Sequence, residues 1–261
     1  MEQYLVKKII KVGNSSGVLL PKEWYGGEAK IELVVKPLDV KNDILRILGP
    51  HLNSVLGVYL VGSYARGEQR KGSDVDVLAI TFDINKRIKS SKYDIIMISK
   101  ERLYQLLKKN ILPLLPMIKE AKVILNSVLL KEYSNISINR DNLNFHIETT
   151  KSAMGVINAE IDLCRDEGEK FVSDASAYSL ILRLRGVYIV QCLIDEKEYA
   201  NRDFIVLVKD IAGSKDAYDG YLRVKDEIKE GRKLLLKEAE KLHAYIIKKI
   251  RKQEEWAKRK K

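Results

Sequence analysis

A glycine-containing turn, followed closely by two aspartates, constrains this chain more than any other feature. Residues 58–61, Val-Tyr-Leu-Val, are apolar and favour β structure, so they predict a buried strand that ends at this turn. The turn, Gly-Ser-Tyr-Ala-Arg-Gly over residues 62–67, is predicted to open a short helix that Ser63 caps. Free N–H groups at the start of a helix bind phosphate oxygens well. The sequence therefore predicts a phosphate site at residues 62–67.

Acidic side chains follow this turn on stretches that predict two further strands. Asp74 and Asp76 belong to an apolar stretch that continues through residue 81. Residues i and i+2 of a strand face the same side, so both carboxylates are expected to project together. Asp94 opens another apolar stretch, residues 94–98, and offers a third carboxylate. Oxygen donors beside a phosphate site favour Mg²⁺, which shares its ligands with substrate phosphates.

The whole pattern resembles the nucleotidyltransferase superfamily typified by DNA polymerase beta, and it is most similar to the minimal and kanamycin-type members. The family motif is Gly-Ser, a short gap and Asp-x-Asp, with a later acid on a neighbouring strand. Asp94 matches by position and strand context. The other positions match the motif or its extended form in the minimal members: Gly62, Ser63, Ala65, Arg66, Gly67, Ser73, Asp74 and Asp76.

The resemblance covers about residues 40–130 and implies an enzyme. Such an enzyme would transfer a nucleoside monophosphate, with AMP expected, from a nucleoside triphosphate to a hydroxyl group of a small molecule or a protein, and would release pyrophosphate. The resemblance implies Asp74, Asp76 and Asp94 as catalytic residues and as ligands of two Mg²⁺ ions. It implies that the nucleotide, with ATP expected, is held by Gly62, Ser63, Arg66 and Ser73. For Arg66 a structural ion pair with Glu68 or Asp74 stays open as an alternative.

The first forty residues form a separate pattern. Residues 9–24 predict a strand, a polar turn in which Asn14 and Gly17 take positive φ, a second strand, and a short helix begun by Pro21. Residues 29–35 predict a third strand. Residues 3–36 resemble the AbrB/MazE-type swapped-hairpin family at Lys11, Gly13, Asn14, Ser15, Val18, Leu20 and Pro21. The resemblance implies a homodimer with exchanged hairpins and DNA contacts from Lys7, Lys8, Lys11, Asn14 and Lys22.

Two functions from different classes fit these patterns. The first is a nucleotidyltransferase, antitoxin-like in its organisation. The second is a dimeric DNA-binding transcriptional regulator whose nucleotidyltransferase fold senses nucleotide and is catalytically weak. The three-carboxylate set favours the enzyme, because a sensor need not keep all three acids. A β unit of forty residues has too little core to stand alone, so a second copy is expected as a partner in either case. DNA and a protein target stay open as further partners.

The predicted fold is α+β with three domains. A small swapped-hairpin β unit over residues 1–37 precedes an α/β catalytic domain with a mixed sheet over residues 38–132, and a helical bundle occupies residues 133–261. The catalytic strands are predicted over 57–61, 75–81, 93–98 and 121–125. Apolar periodicity predicts the bundle helices over 140–164, 174–193, 201–212 and from 215 to the C terminus.

Three basic side chains and a histidine in the bundle have more than one interpretation. Arg140 and His146 match the spacing in HEPN ribonucleases, but a chain with this many arginines gives such a match by chance, so the match is discounted. Arg183 and Arg185 lie on a mostly apolar helix. They would bind an anionic substrate or pair with acids, and the pairing is favoured.

Charge and composition narrow the partners. The formal net charge is +11, which favours nucleotides, nucleic acid or an acidic protein as partners. No apolar stretch is expected to reach transmembrane length, and the N terminus does not resemble a signal peptide. A cytoplasmic location and no membrane partner are therefore expected. The two cysteines, Cys164 and Cys192, lie in apolar helical surroundings and are expected as buried hydrophobes rather than a disulfide.

Overall fold

The computed structural model describes residues 5–34, 38–70, 72–228, 231 and 233–259. The chain divides into two compact units, Met1–Asp39 and Val40–Lys261. The fold is α+β, as predicted, with a small N-terminal hairpin, a mixed sheet and a series of C-terminal helices. Val35, at the end of the predicted third strand, and Pro37, at the predicted domain boundary, lie outside the described residues.

The N-terminal unit contains one short hairpin. Strand β1 (Ile10–Val12) pairs antiparallel with β2 (Ser15–Gly17). Gly13 takes the positive φ of the turn, at +57°, so the prediction that Asn14 and Gly17 take it was wrong. The residue without a Cβ adopts the left-handed conformation at no steric cost. A single 3₁₀ turn, Lys22–Trp24, follows Pro21, as the proline predicts.

The predicted third strand is wrong over residues 29–34, which form no strand. A strand exists only where its backbone pairs with another, and within the described residues of this single chain no pairing forms here. No residue between 5 and 34 is buried. The large apolar side chains that stay exposed are Leu5, Val6, Ile9, Ile10, Val12, Leu19, Leu20, Tyr25, Ile31, Leu33 and Val34. The swapped-hairpin resemblance stays a prediction.

The second unit begins with an α/β region built on a five-stranded sheet. The strand order is β5-β6-β4-β3-β7, with β4 and β6 parallel and the other neighbours antiparallel. The elements, in chain order, are α1 (Val40–Leu48), a 3₁₀ turn (Gly49–Ser54), β3 (Val55–Leu60), α2 (Gly62–Arg66), β4 (Val75–Thr81), β5 (Lys86–Ser90), β6 (Tyr93–Ser99), α3 (Lys100–Lys109), α4 (Leu114–Lys119), β7 (Lys122–Leu125) and α5 (Ser127–Ser134).

Sequence prediction found the central strands and missed the marginal elements. Strands β3, β4, β6 and β7 form within two residues of the predicted bounds. Ser99 caps α3 as predicted, accepting a hydrogen bond from the Arg102 N–H at 3.3 Å. Strand β5 was missed because its charged residues give no apolar alternation, a common property of edge strands. Helix α4 was missed because Pro116 lies within it, in the first turn, where the absent N–H has no helical partner in any case.

The two faces of the sheet pack differently. Val75, Val77 and Ala79 of β4 pack with α1 on one face. Leu78 and Ile80 face the other side and join a core that continues into the C-terminal helices. Since side chains alternate along a strand, Asp76 and Asp94 belong to this second face. The acidic residues therefore point toward the helical side of the molecule.

The C-terminal region contains five helices in the described residues: α6 (Arg140–Asp166), α7 (Asp174–Ile194), α8 (Asn201–Ala212), α9 (Asp216–Lys225) and α10 (Leu236–Arg259). The prediction of one helix from residue 215 to the C terminus was wrong, because α9 ends at Lys225 and α10 begins at Leu236. Between them Gly231, at φ +150°, passes so close to Arg223 that a Cβ would lie 2.7 Å from Nη1. Helix α9 packs on α7, while α10 packs on α6. Apolar periodicity continues on both sides of the break between them and so does not reveal it.

Helix α7 is long and apolar enough to cross a membrane by length and composition, so the expectation that no stretch reaches that length was wrong. It packs against α6, α9 and α10. Its position in the core of the bundle accounts for its apolar composition.

Cys192 of this helix is buried and Cys164 of α6 is half-buried, and both are free thiols, as expected.

A buried polar chain joins three of these helices. His146 Nε2 on α6 lies 3.3 Å from Gln253 Oε1 on α10, and Gln253 Nε2 donates to the Val187 carbonyl on α7 at 2.8 Å. Burial lowers the pKa of His146 to about 4. Arg140 is exposed at the start of α6. His146 thus serves the bundle as a neutral hydrogen-bonding group.

Acidification from pH 7 to pH 5 is expected to destabilise the protein through His146. Its folded pKa of about 4 lies below the ordinary value of 6.5, so between these values the unfolded chain binds a proton that the folded chain does not. Stability therefore rises with pH across this window and is lost as the pH falls, by roughly 2 kcal/mol at pH 5. Urea unfolding of the parent and of His146→Gln at both pH values measures the effect.

The variant separates His146 from the other titrating groups. His146→Gln keeps a hydrogen-bonding side chain but cannot titrate, so its own change between pH 7 and pH 5 reports the remaining groups. The parent is expected to lose about 2 kcal/mol more than the variant over this interval. Equal losses in the two proteins would contradict the assignment.

Candidate active site

The turn after β3 is fixed by close packing of Gly62 against Asp76. Val61 is extended and donates its N–H to the Asp76 carbonyl at 3.0 Å, and Gly62 takes φ +68°. A Cβ at Gly62 would lie 2.2 Å from Asp76 Oδ2. Glycine is therefore required twice, once for the backbone conformation and once for the contact with the carboxylate.

Ser63 does not cap the short helix α2, so that prediction was wrong. The helix begins at Gly62 after Val61, and no side chain of the flanking residues caps it. The Gly62 N–H instead donates to Glu120 Oε1 at 2.7 Å. Glu120 lies in the loop before β7. Because Glu120 accepts the Gly62 N–H, the half-buried Ser63 hydroxyl does not cap this helix.

The three predicted carboxylates gather around the ends of β4 and β6. Asp76 and Asp94 occupy paired positions on these parallel strands, and Asp74 lies two residues before Asp76. The pKa of Asp76 is raised, first by burial and then by the charges of Asp94, Asp74 and Glu120. Its side chain makes no hydrogen bond or ion pair with the described residues. The site thus concentrates negative charge on a half-buried, unpartnered carboxylate.

Asp94 is held by an arginine that sequence analysis did not anticipate. Arg87 on β5 donates from Nε to Asp94 Oδ1 at 2.6 Å and from Nη2 to Oδ2. This hydrogen-bonded pair lowers the pKa of Asp94. The pairing depends on β5, the strand missed from the sequence. In this arrangement both oxygens of Asp94 accept hydrogen bonds from Arg87.

The donor chemistry around Asp76 fits a divalent cation. Carboxylate oxygens are the ligands that Mg²⁺ prefers, and a cation would relieve the repulsion that raises the pKa of Asp76. In the part of the chain that the structure describes, however, no three acidic, histidine or cysteine side chains are arranged as a metal-holding group. The three-carboxylate metal set stays a prediction.

Arg66 lies between two acids rather than at an open phosphate site. Its Nε donates to Glu68 Oε2 at 2.8 Å, and Nη1 donates to Glu120 Oε2 at 2.5 Å. Its guanidinium also stacks over the Tyr199 ring at 5.3 Å. The pairing with Glu68 agrees with the structural alternative from the sequence. Nucleotide binding by Arg66 stays a prediction.

Glu120 is the residue of the site that sequence analysis missed. Burial raises its pKa, and Arg66 and the Gly62 N–H oppose that rise. It reaches the turn because β7 pairs antiparallel with β3. No local motif surrounds it, so only knowledge of this strand pairing would have identified it.

The remaining predicted residues are placed as follows. Ser73 accepts a hydrogen bond from the Arg70 N–H at 2.8 Å and so stabilises the loop before the aspartates. The tentative DNA-contact residues are all exposed on the N-terminal unit: Lys7, Lys8, Lys11, Asn14 and Lys22.

A cavity of about 480 Å³ lies on the helical side of the Gly62 turn, which is called the catalytic turn after its proposed role. Arg66 and Glu120 line it from the α/β region, and α6 and α7 line it with His146, Arg183 and Arg185 among others. The favoured interpretation that these two arginines pair with acids was wrong, since in the described residues neither forms an ion pair. Arg183 Nη1 donates to Thr149 Oγ1 at 3.4 Å, and Arg185 Nη1 donates to the Tyr221 hydroxyl at 3.0 Å.

Comparison with known proteins agrees with the motif. Residues 41–130 match the family model described as a nucleotidyltransferase domain. The chain therefore contains a nucleotidyltransferase domain and is an enzyme of the nucleotidyl-transferring class. No curated protein matches the chain in sequence.

Several solved structures resemble the chain at low identity. Spectinomycin adenyltransferase AAD(9) from Enterococcus faecialis, solved with ATP and spectinomycin, is 16% identical with a TM-score of 0.39, covering 80% of this chain and 97% of its own. A nucleotidyltransferase-like protein from Exiguobacterium sibiricum 255-15 is 13% identical with a TM-score of 0.33, covering 82% and 74%. A toxin–antitoxin structure with AMP-PNP is 14% identical with a TM-score of 0.27, covering 46% and 97%. Likenesses at this level carry no argument about substrate or partner.

Gly62→Ala is expected to disrupt the site because the new Cβ collides with the Asp76 carboxylate. Gly67→Ala is a matched control, since Gly67 also has positive φ, at +72°, but no atom lies within 4 Å of its Cβ position. Both changes carry a backbone cost of about 1 kcal/mol, and only the first displaces Asp76. Calorimetric titration with ATP and Mg²⁺ should show an affinity at least about tenfold weaker in Gly62→Ala than in Gly67→Ala. Equal affinities would contradict the role assigned to this contact.

Proposed function

We propose that this enzyme transfers a nucleoside monophosphate from a nucleoside triphosphate to a hydroxyl group, with ATP as the expected donor. The observation that carries the proposal is the contact between Gly62 and Asp76, which supports a phosphate site beside a carboxylate that has no hydrogen-bond or ion-pair partner among the described residues. Gly62, Ser63, Arg66 and Ser73 are the proposed nucleotide-binding residues. The nucleotidyltransferase domain over residues 41–130 supports the reaction class.

In the proposed reaction the acceptor oxygen forms a bond to the α-phosphorus. The bond between this phosphorus and the bridging oxygen of the β-phosphate breaks, and pyrophosphate leaves with that electron pair. The hydroxyl proton passes to a carboxylate, for which Asp94 is proposed once Arg87 has released it. Asp74, Asp76 and Asp94 would hold Mg²⁺, which when bound neutralises phosphate charge and stabilises the entering and leaving oxygens.

The carboxylates are expected to divide between binding and turnover. The double variant Asp74→Asn, Asp76→Asn should lose Mg²⁺-dependent ATP binding, because it removes the anionic donors beside the turn. Asp94→Asn should still bind ATP but lower kcat by about 10²-fold or more, since it lacks the proton acceptor. Calorimetry with and without Mg²⁺ measures the first effect, and pyrophosphate release in the presence of a cell extract measures the second.

A matched control comes from an acid that follows the opposite end of β4. Asp83→Asn changes an exposed carboxylate after β4 that lines neither the turn nor the cavity, and it should leave ATP affinity at the parental value. Parental Mg²⁺-dependent affinity in the double variant would refute the assignment of Asp74 and Asp76. Unchanged turnover in Asp94→Asn would mean that another acid accepts the proton, and Glu120 at the turn is then the first candidate.

We also propose that a second copy of the chain joins through residues 1–37. The supporting observation is that residues 5–34 bury no side chain and expose eleven large apolar ones. So small a unit is expected to bury these residues against a partner. The dimeric regulator, with DNA contacts from the exposed lysines, is the second candidate function, and a cytoplasmic location is proposed for either.

Deletion of residues 1–37 should yield a monomer that still binds ATP with Mg²⁺, because the second compact unit begins at Val40. Light scattering measures the mass, and a full-length dimer with a truncated monomer is the expected result. A truncated protein that remains dimeric, or a full-length monomer, would refute the assignment. DNA binding by the full chain, if present, should weaken steeply with salt, since each phosphate contact releases counterions.

A further inference from the structure

The cavity beside the Gly62 turn contains two arginines that form no ion pair with the described acids. Arg183 and Arg185 of α7 both line it. The Nε atom of each is buried and without a hydrogen-bond partner, and among the described residues these are the only buried side-chain nitrogens in that state. The Thr150 hydroxyl oxygen, also on the cavity wall, is buried and unpartnered as well. Buried polar and charged groups without partners are costly, so an anionic ligand would stabilise this wall.

The geometry of Arg185 is already fixed for binding. Its guanidinium lies over the Phe204 ring at 5.1 Å and over the Tyr221 ring at 4.8 Å, and it donates to the Tyr221 hydroxyl. Aromatic faces hold a guanidinium in place without using its in-plane N–H groups. Of the five N–H donors on an arginine, only one of those on Arg185 has a hydrogen-bond partner among the described residues. Arg183 likewise makes only the long contact to Thr149 within the described part of the chain.

The other ionisable groups around the cavity do not neutralise this pair. Glu120 and Arg66 pair with each other at 2.5 Å at the edge that faces the catalytic turn. His146 is uncharged near neutral pH, because burial lowers its pKa to about 4. The charge of Arg183 and Arg185 therefore makes this wall of the cavity positive.

The cavity adjoins the catalytic turn without containing it. Glu120 lines the cavity and also accepts the Gly62 N–H, so the two places share a boundary. None of the predicted phosphate and metal residues lines the cavity except Arg66. A ligand bound there would lie next to a nucleotide at the turn rather than replace it. The volume of about 480 Å³ falls in the range of small-molecule sites.

We propose that this cavity is the acceptor site and that the acceptor is a small molecule carrying a phosphate or carboxylate group, which Arg183 and Arg185 bind while its hydroxyl faces the catalytic turn. The proposal rests on the nucleotidyl transfer proposed above. In that transfer the acceptor hydroxyl oxygen joins the α-phosphorus, pyrophosphate leaves, and the anionic group of the acceptor is unchanged. The arginines thus act in binding and specificity, not in bond making.

The test measures anion binding to the full-length protein by calorimetry at constant ionic strength. Inorganic phosphate and acetate are titrated separately, first into the free protein and then into protein saturated with α,β-methylene-ATP and Mg²⁺. One phosphate or acetate is expected to bind saturably under both conditions. Preference for phosphate or for acetate distinguishes a phosphorylated from a carboxylated acceptor.

Variants then assign the binding to the arginines. The double variant Arg183→Gln, Arg185→Gln should weaken anion binding by at least about tenfold and leave the affinity for the nucleotide analogue within about twofold. Arg183→Gln alone is the safer variant for folding, because Arg183 lacks the aromatic contacts of Arg185. Arg251→Gln, an exposed arginine on α10 that does not line the cavity, should match the parent for both ligands.

Three outcomes would overturn the proposal. They are absence of saturable binding of either anion, displacement of the anion by the nucleotide analogue, and parental anion affinity in both arginine variants. Displacement would assign the arginines to the triphosphate instead. Failure of the parent to bind the nucleotide analogue would contradict the proposed function, and the phosphate titration of the free protein and its arginine variants would still decide whether an anion site exists.

Discussion

The contact between Gly62 and the Asp76 carboxylate sets the arrangement of the whole site. Gly62 begins α2 directly after β3, and Asp76 lies on β4, the antiparallel neighbour of β3; the hydrogen bond from the Val61 N–H to the Asp76 carbonyl holds them together. No side chain fits between them, since a Cβ on Gly62 would lie 2.2 Å from Asp76 Oδ2. A phosphate on the turn would therefore lie beside the aspartate. The closeness of the turn and the carboxylate follows from the backbone arrangement itself.

A chain of charged contacts then connects this turn with the helical region. Glu120 takes the Gly62 N–H and pairs with Arg66, which also pairs with Glu68. Glu68 in turn accepts the Asn201 N–H at 2.9 Å, at the start of α8, where no side chain of the helix itself provides a cap. A carboxylate at a helix N-terminus is stabilising, because it satisfies free N–H groups and the positive end of the helix dipole. The α/β region thus supplies the cap of a helix 133 residues away, and the five-residue helix α2 is anchored from both sides.

The sequence predicted the local features of the fold and the site. It did not predict the features that depend on contacts between distant segments. Hydrophobic periodicity located β4 and α8 at their observed bounds, and the glycine motif identified the turn. Glu120 was missed because its role arises from the pairing of β7 with β3, which no local pattern encodes. The Arg87 pairing of Asp94 was missed because β5 is a charged edge strand without apolar alternation. Side-chain partners across a sheet become visible only once the strand order is known.

The two arginines of α7 illustrate the same limit with a functional consequence. For Arg183 and Arg185, which lie on an apolar helix, pairing with acids is the simplest expectation. The acids nearest to them in sequence lie at the two ends of this helix. Asp174 is instead taken by Arg223 of α9, at 2.7 and 3.1 Å, and Asp195 accepts a hydrogen bond from Gln191 at 2.8 Å. The acids near the cavity, Glu68 and Glu120, are both engaged by Arg66. Because the described acids nearest to Arg183 and Arg185 are engaged by other groups, the pairing expected from the sequence does not form, and both arginines are left lining the cavity on the helical side of the Gly62 turn.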